Sequence, residues 1–268
     1  MTTSTSSTLR RAASWTAAAA LAASPLALAT TTYAAPAKAD SWTVTAKINE
    51  TVAIRKETTI KVRGRVTPKA AGQQVVLQQR VGNKKTWKAT GTTKVRANGT
   101  YVLKDDPSTP GKRAYRVVKP ASNGLAKGIS PALDVQVYAW EKLGNRYTGL
   151  QANLTRGGAT IATEYYGSSL LTDVSGTPTF VEYTLGRKCL SLRSTYALTD
   201  SSVSGSSGAV SVTGDGAVLA SHPLAVGTVV EDEVLDISDV FRLRFDLTSS
   251  ATPAATAAVA DPWVLCTR

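Results

Sequence analysis

The chain has 268 residues, with 31 Lys and Arg against 19 Asp and Glu, and a formal net charge of +12. That length allows one large or two ordinary domains. Two Cys and one His fall short of the roughly four ligands of a structural zinc site, so no metal is expected and no cofactor is implied.

Residues 1–39 read as an export signal. "STLRRAASWTAAAALAASPLALA" places Arg10 and Arg11 before an Ala/Leu-rich run with small residues at its end, the pattern of a secretory signal peptide. Cleavage after Ala29, Ala34 or Ala39 fits equally. Ser24 and Pro25 interrupt the apolar run, which falls short of the ~20 apolar residues of a membrane span. No second hydrophobic span follows, so the mature protein is expected to be secreted, extracellular and without a membrane span. An oxidising compartment allows disulfides, and the two Cys, Cys189 and Cys266, allow one pairing.

Residues 41–137 carry 19 Lys and Arg against 5 Asp and Glu, a net of +14; residues 138–268 carry 9 against 13, a net of −4. Such a break predicts two domains with different surfaces. In the basic part the expected strands are "WTVTAKI", "TIKVRGRV", "QVVLQQRV", "TWKATGTTKV", "TYVLK", "RAYRVV" and "ALDVQVYA". Apolar positions recur at period two with Lys and Arg facing outward, and Gly, Pro and Asn punctuate the runs. About seven short strands in a hundred residues fit an immunoglobulin-like β-sandwich.

In the acidic part the expected strands are "TFVEYTL", "CLSLRSTYAL", "AVSVTG", "AVLASHPL", "VVEDEVLDI", "FRLRFDLTS" and "WVLC". In "FRLRFDL", Phe241, Leu243, Phe245 and Leu247 share one face and Arg242, Arg244 and Asp246 the other, as in an antiparallel sheet wet on one side. "VSVTGDGAVLASH" is expected to be a hairpin. Gly214 and Gly216 supply the positive φ of a tight turn, and Asp215 tolerates it.

Catalytic patterns are thin. His222 is the sole imidazole, and no Gly-x-Ser-x-Gly motif accompanies it, so it is read as structural or surface. "EDEVLDISD" supplies Glu231, Asp232, Glu233, Asp236 and Asp239. Along a strand Glu231 and Glu233 share one side and point to solvent, and nothing sets one carboxyl apart from another as glycoside hydrolysis requires. The acidic residues lack the spacing of a calcium loop. No enzyme activity is expected.

Two resemblances follow from ordered motifs. "KVRGRVTPKAAGQQVVLQQRVGNKKTWK", "RANGTYVLK" and "YRVVKP" resemble a bacterial immunoglobulin-like domain of secreted actinobacterial proteins, which implies a spacer or adhesive module. "TFVEYTLGRKCLSL", "GSSGAVSVTGDGAVLASHPL", "DEVLDISDVFRLRFDLTSS" and "AVADPWVLC" resemble the NPCBM family of carbohydrate-binding modules, which implies a jelly-roll sandwich with glycan at its loop rim. Two rim segments depart from that family: "YYGSSLLTD" lacks its His, and "SSATPAATAAVADPW" keeps only Asp261 and Trp263 of its polar and aromatic content.

Sugar binding needs aromatic platforms with a few polar groups beside them. The candidates are Tyr165, Tyr166, Asp261 and Trp263. If strand-borne, Tyr165 and Tyr166 face opposite ways, so at most one reaches a rim; Trp263 is read more readily as core. "RVGNKKTWK" sets Arg80, Lys84, Lys85 and Lys88 around Trp87, a pattern open to anionic polymers or to a plain solvated surface with Trp87 in the core. No nucleic-acid fold signature is present. The expectation is thus an all-β, non-enzymatic protein: a signal peptide at 1–39, an N-terminal immunoglobulin-like β-sandwich at 41–137 and a C-terminal NPCBM-like jelly-roll β-sandwich at 138–268. Its expected partner is a polysaccharide. The alternative is a structural or adhesive envelope protein, held to an anionic cell-wall polymer by its basic domain.

Overall fold

A computed structural model describes residues 40–268; the expected signal peptide at 1–39 lies outside the described residues. The described chain is almost wholly β, with one 3-10 turn at Leu143–Asn145. Among the described residues no helix is long and apolar enough to cross a membrane. The first nine strands are β1 (Thr43–Ile48), β2 (Val52–Ile54), β3 (Ile60–Thr67), β4 (Gln74–Val81), β5 (Lys88–Lys94), β6 (Thr100–Asp105), β7 (Gly111–Lys119), β8 (Gly128–Ile129) and β9 (Leu133–Lys142). The remaining ten are β10 (Gln151–Ala152), β11 (Leu154–Ile161), β12 (Glu164–Thr172), β13 (Thr179–Thr184), β14 (Cys189–Leu198), β15 (Ser207–Gly214), β16 (Ala217–Ala225), β17 (Val229–Asp236), β18 (Arg242–Ser249) and β19 (Ala257–Cys266).

Two cores organise these strands. In the first, a sheet ordered β1-β3-β6 packs on one ordered β9-β7-β4-β5, and β2 runs parallel beside β9. Period-two patterning turns Ile60 and Val62 of β3 and Leu103 of β6 inward against Leu77, Tyr115, Val117 and Val137. One glycine is dictated by close approach. A Cβ on Gly64 would lie 1.8 Å from the Thr45 carbonyl oxygen and 2.5 Å from the Tyr101 hydroxyl. That space lets the buried Tyr101 hydroxyl donate to the Thr45 carbonyl at 2.5 Å. Burial pushes the Tyr101 phenol well above its ordinary pKa, which keeps it a neutral donor.

The second core lies between a sheet ordered β10-β13-β18-β15-β16 and the strands β11-β12-β19-β14-β17. Leu243, Phe245 and Leu247 of β18 face it, with Tyr183 edge-on to Phe245 at 6.4 Å. Phe241 departs from the expected alternation: it precedes β18, is 44% exposed, and lies beneath Arg187. Cys189 and Cys266 are directly opposed on β14 and β19 and form the disulfide.

The charge break between Val137 and Tyr138 falls inside β9. Leu133–Val137 pair with β7, while Ala139–Lys142 pair with the end of β19. A single strand therefore belongs to both sheet systems.

Candidate functional site

The Gly-Asp-Gly stretch is a hairpin tip, but its glycines act differently from the sequence expectation. The positive φ belongs to Asp215 (51°) and Gly216 (87°), as a two-residue primed turn requires. Gly214 is needed for space, since a Cβ there would meet Val240 at 2.8 Å. The Asp215 carboxylate accepts the Phe241 and Arg242 amides at 2.9 and 2.8 Å. These two bonds hold its pKa below the usual carboxylate value.

His222 is held between a carboxylate and an aromatic ring. Its Nε2 lies 3.0 Å from Glu233 and its ring stacks on Tyr196, with centroids 5.5 Å apart. Glu231 and Glu233 do not share a face, contrary to the strand alternation. A bulge opposes Ser194–Tyr196 to the segment holding Asp232, whose φ is +46°. Glu233 is thereby turned to His222, and Glu231 to the other side of the sheet beside Tyr166.

That other side is covered by a hairpin missed in the sequence. β12 pairs with β19 only at Leu170 and Leu171. Beyond them β11 and β12 arch across β19, and the tip is caught by Asp200, which follows β14. The Asp200 carboxylate accepts the amides of Ala162 and Thr163 at 2.8 and 2.9 Å. Both turn residues have positive φ, 48° and 69°, without the Asn-Gly or Asp-Gly that usually marks such a turn. Beneath the hairpin, Ala159 and Ile161 bury against Ala197, Ala258 and Ala260. Three alanines on the sheet leave room for backbone to lie close above it.

Between the hairpin and the sheet is a depression of about 200 Å³. Tyr165, Tyr166, Asp261 and Trp263 all line it, joined by Glu164, Arg193, Thr195, Glu231, Asp232 and Ala260. It lies on a sheet face under a hairpin, not at a loop rim as expected. Tyr165 is 70% exposed, its ring lying over Gly158, and Tyr166 is half-buried; both nevertheless line the one depression, where alternation allowed at most one. The Tyr166 hydroxyl donates to Glu164 at 3.3 Å; desolvation first, then the Glu164 charge, raises the phenol above its ordinary pKa. Trp263 is half-buried on this outer face with the Lys142 ammonium 5.2 Å from its ring, while Val264 and Cys266 take the core positions.

Asp261 sits where β19 exchanges one neighbour for another. Its Oδ1 accepts the Ser168 amide of β12 at 2.8 Å and lies 3.7 Å from Lys142 of β9. Its φ of +38° is a strained conformation for a non-glycine residue, held by those two partners. Arg193, opposite Trp263 in the ladder, stacks over Trp140 at 5.1 Å. The depression therefore offers hydroxyl-accepting carboxylates, one guanidinium and three aromatic side chains. Arg193 and Glu164 had no motif around them, and no sequence signal pointed to either.

Arg80, Lys84, Lys85 and Lys88 lie elsewhere, at the β4–β5 turn. Trp87 is half-buried and outside the strands, not core. Two guanidiniums face its ring, Arg80 at 4.9 Å and Arg116 at 4.2 Å. Partial burial and then the Arg80 charge lower the Arg116 pKa. Lys84, Lys85 and Lys88 are exposed.

No protein-family model matches the chain, and no curated protein matches it.

Proposed function

We propose that this is an exported, non-enzymatic protein whose C-terminal lobe binds a glycan in the depression beneath the β11–β12 hairpin. One observation carries the reading: Tyr165, Tyr166, Asp261 and Trp263, chosen as sugar contacts from sequence, line a single polar depression together with Glu164, Glu231 and Asp232. Sugar hydroxyls donate to carboxylates, and aromatic faces take the C–H faces of the ring. The paired Cys189 and Cys266 support export, since disulfides persist outside the cytoplasm. Two stacked sheets around each core support the two-sandwich reading, and β2 lying parallel to the last strand of its sheet supports the immunoglobulin-like resemblance.

The test is a glycan array probed with the full mature chain, because a fragment starting at residue 138 would cut β9. A retained glycan should bind at least tenfold more weakly to Glu231→Gln/Asp232→Asn, which alters two exposed lining residues. No retained glycan, or one unaffected by this variant, counts against the site. Turnover of a glycoside counts against the non-enzymatic reading.

A further inference from the structure

The outer face of the β1-β3-β6 sheet is densely cationic. Alternation turns Lys61, Arg63 and Arg65 of β3 outward together, and pairing places Lys47 opposite Arg63 and Lys104 opposite Lys61. Arg96, whose amide bonds to the Thr100 carbonyl, adds a sixth cation beside β6. Two adjoining depressions of about 520 and 390 Å³ share Lys61 and Arg63, and no carboxylate lines either. Among the described residues none of the six cations forms an ion pair. Uncompensated like charges this close cost stability through repulsion, so a face of this kind calls for a ligand more than for a fold.

We propose that this face binds a linear polyphosphodiester without bases, laid along β3. Successive outward residues of a strand are spaced by roughly 6.8 Å, two residues at ~3.4 Å each, so Lys61, Arg63 and Arg65 meet a chain bearing a charge at about that interval. Arg63 and Arg65 bring forked donors suited to the two free oxygens of a phosphodiester. Aromatic platforms, on which single-stranded nucleic acid stacks its bases, are missing from the lining: Tyr101 points inward, its hydroxyl bonded to Thr45. Besides charge the depressions are lined by Thr45, Thr100 and Asn49 and by the apolar Ala46, Ile48 and Val102, so a polymer whose charge lies in its own backbone, with C–H groups between the charges, suits the face. It is a different surface from the Arg80–Lys88 turn, which belongs to the opposite sheet, and it is independent of glycan binding by the other lobe.

The experiment measures binding of a synthetic, fluorescently labelled poly(glycerol phosphate) to the mature chain across 50–200 mM salt. Six contacts predict a log–log salt slope of about −4 and a loss of roughly 250-fold over that range, using ~0.7 per contact for a single-stranded polyanion. Arg63→Ser/Arg65→Ser/Lys104→Ser should reduce the slope magnitude by about 2, while Lys84→Ser/Lys85→Ser/Lys88→Ser should leave it unchanged. All six residues are surface side chains, and unchanged melting curves confirm that both variants fold. Equal loss in both variants, or none in the first, overturns the assignment to this face. Tighter binding of polyuridylate identifies a nucleic-acid surface and overturns the ligand class; equal binding of polyglutamate overturns it as a surface blind to anion type.

Discussion

Replacing Asp200 by Ala removes the acceptor that holds the β11–β12 hairpin against the sheet. Two backbone amides, of Ala162 and Thr163, end on that carboxylate at 2.8 and 2.9 Å. A hydrogen bond to a charged group contributes about 1.5–3 kcal/mol. Asp200 is exposed, so each bond falls at or below the low end, and the pair contributes about 2 kcal/mol. The loss should appear locally, because the main core on the other side of the sheet contains no residue of the hairpin tip. Native-state amide exchange should therefore quicken about 30-fold at residues 159–166, from 2 kcal/mol at RT of ~0.59 kcal/mol, with little change in strands β14, β15 and β18. Thr163→Gly acts in the opposite direction. Thr163 holds φ at +69°, which costs a β-branched residue about 1–2 kcal/mol. Glycine should return about 1 kcal/mol of that in the Asp200→Ala background. Unchanged exchange at 159–166, together with a fall in the global melting temperature, would refute the latch.

Gly64→Ala should destabilise the N-terminal core by about 1–3 kcal/mol in urea titration, as forced overpacking does, because its Cβ would overlap the Thr45 carbonyl and the Tyr101 hydroxyl; a midpoint shift no greater than at an open strand position contradicts the packing argument. Cys189→Ser/Cys266→Ser should cost roughly 4 kcal/mol, since the bond closes a 77-residue separation, and reducing agent should reproduce that loss in the parent chain but not in the variant. Asp215 links stability to pH. The two amide hydrogen bonds hold its folded pKa below the ordinary carboxylate value, so its contribution is fully present above the unfolded pKa and is lost as pH falls through the folded one. Asp215→Asn should accordingly flatten part of the acid limb of melting temperature against pH, below about pH 5, and an unaltered limb argues that the two amide bonds do not discriminate protonation state. Cutting the gene between codons 137 and 138 should give fragments that melt below the intact chain, because β9 pairs with β7 on one side of the cut and with β19 on the other.

Strands with clean alternation and glycine-marked turns were legible in the sequence. β3, β4, β7, β15 and β18 announce themselves by apolar residues at period two, and Asp215-Gly216 marks its own turn. β11 and β12 did not. "LTRGGATI" and "EYYGSSLLT" bury few residues, without a sustained period-two run of large apolar side chains, and are joined through Ala162-Thr163, so neither pattern nor turn chemistry flags them; a distant carboxylate, Asp200, supplies what the turn residues lack. Alternation also misplaced Glu231 and Glu233, because one bulge changes the parity of everything beyond it. The four sugar-contact candidates were chosen for chemistry, but their meeting under a hairpin depends on pairings 90 and more residues apart, such as Ser168 with Asp261. Trp87 was misread because its cation neighbours, Arg80 and Arg116, lie on different strands, and one of them is outside the local sequence window.

The shared strand bears on how the two lobes can act together. Lys142, the last residue of β9, reaches both Asp261 and the Trp263 ring at the edge of the depression, while Val135 and Val137 of the same strand are buried in the N-terminal core. A strand is stiff along its length, and these residues are only five to seven positions apart. The depression wall is therefore anchored in the neighbouring core instead of being carried by the C-terminal lobe alone. Trp140 strengthens the tie, because it takes Arg193 from β14 onto its ring and so joins the seam to the far side of the depression. A flexible tether would let the basic face and the acidic lobe take unrelated orientations. A continuous β9 fixes the orientation of the two sheet systems to one another, because the same strand pairs with β7 in one and with β19 in the other.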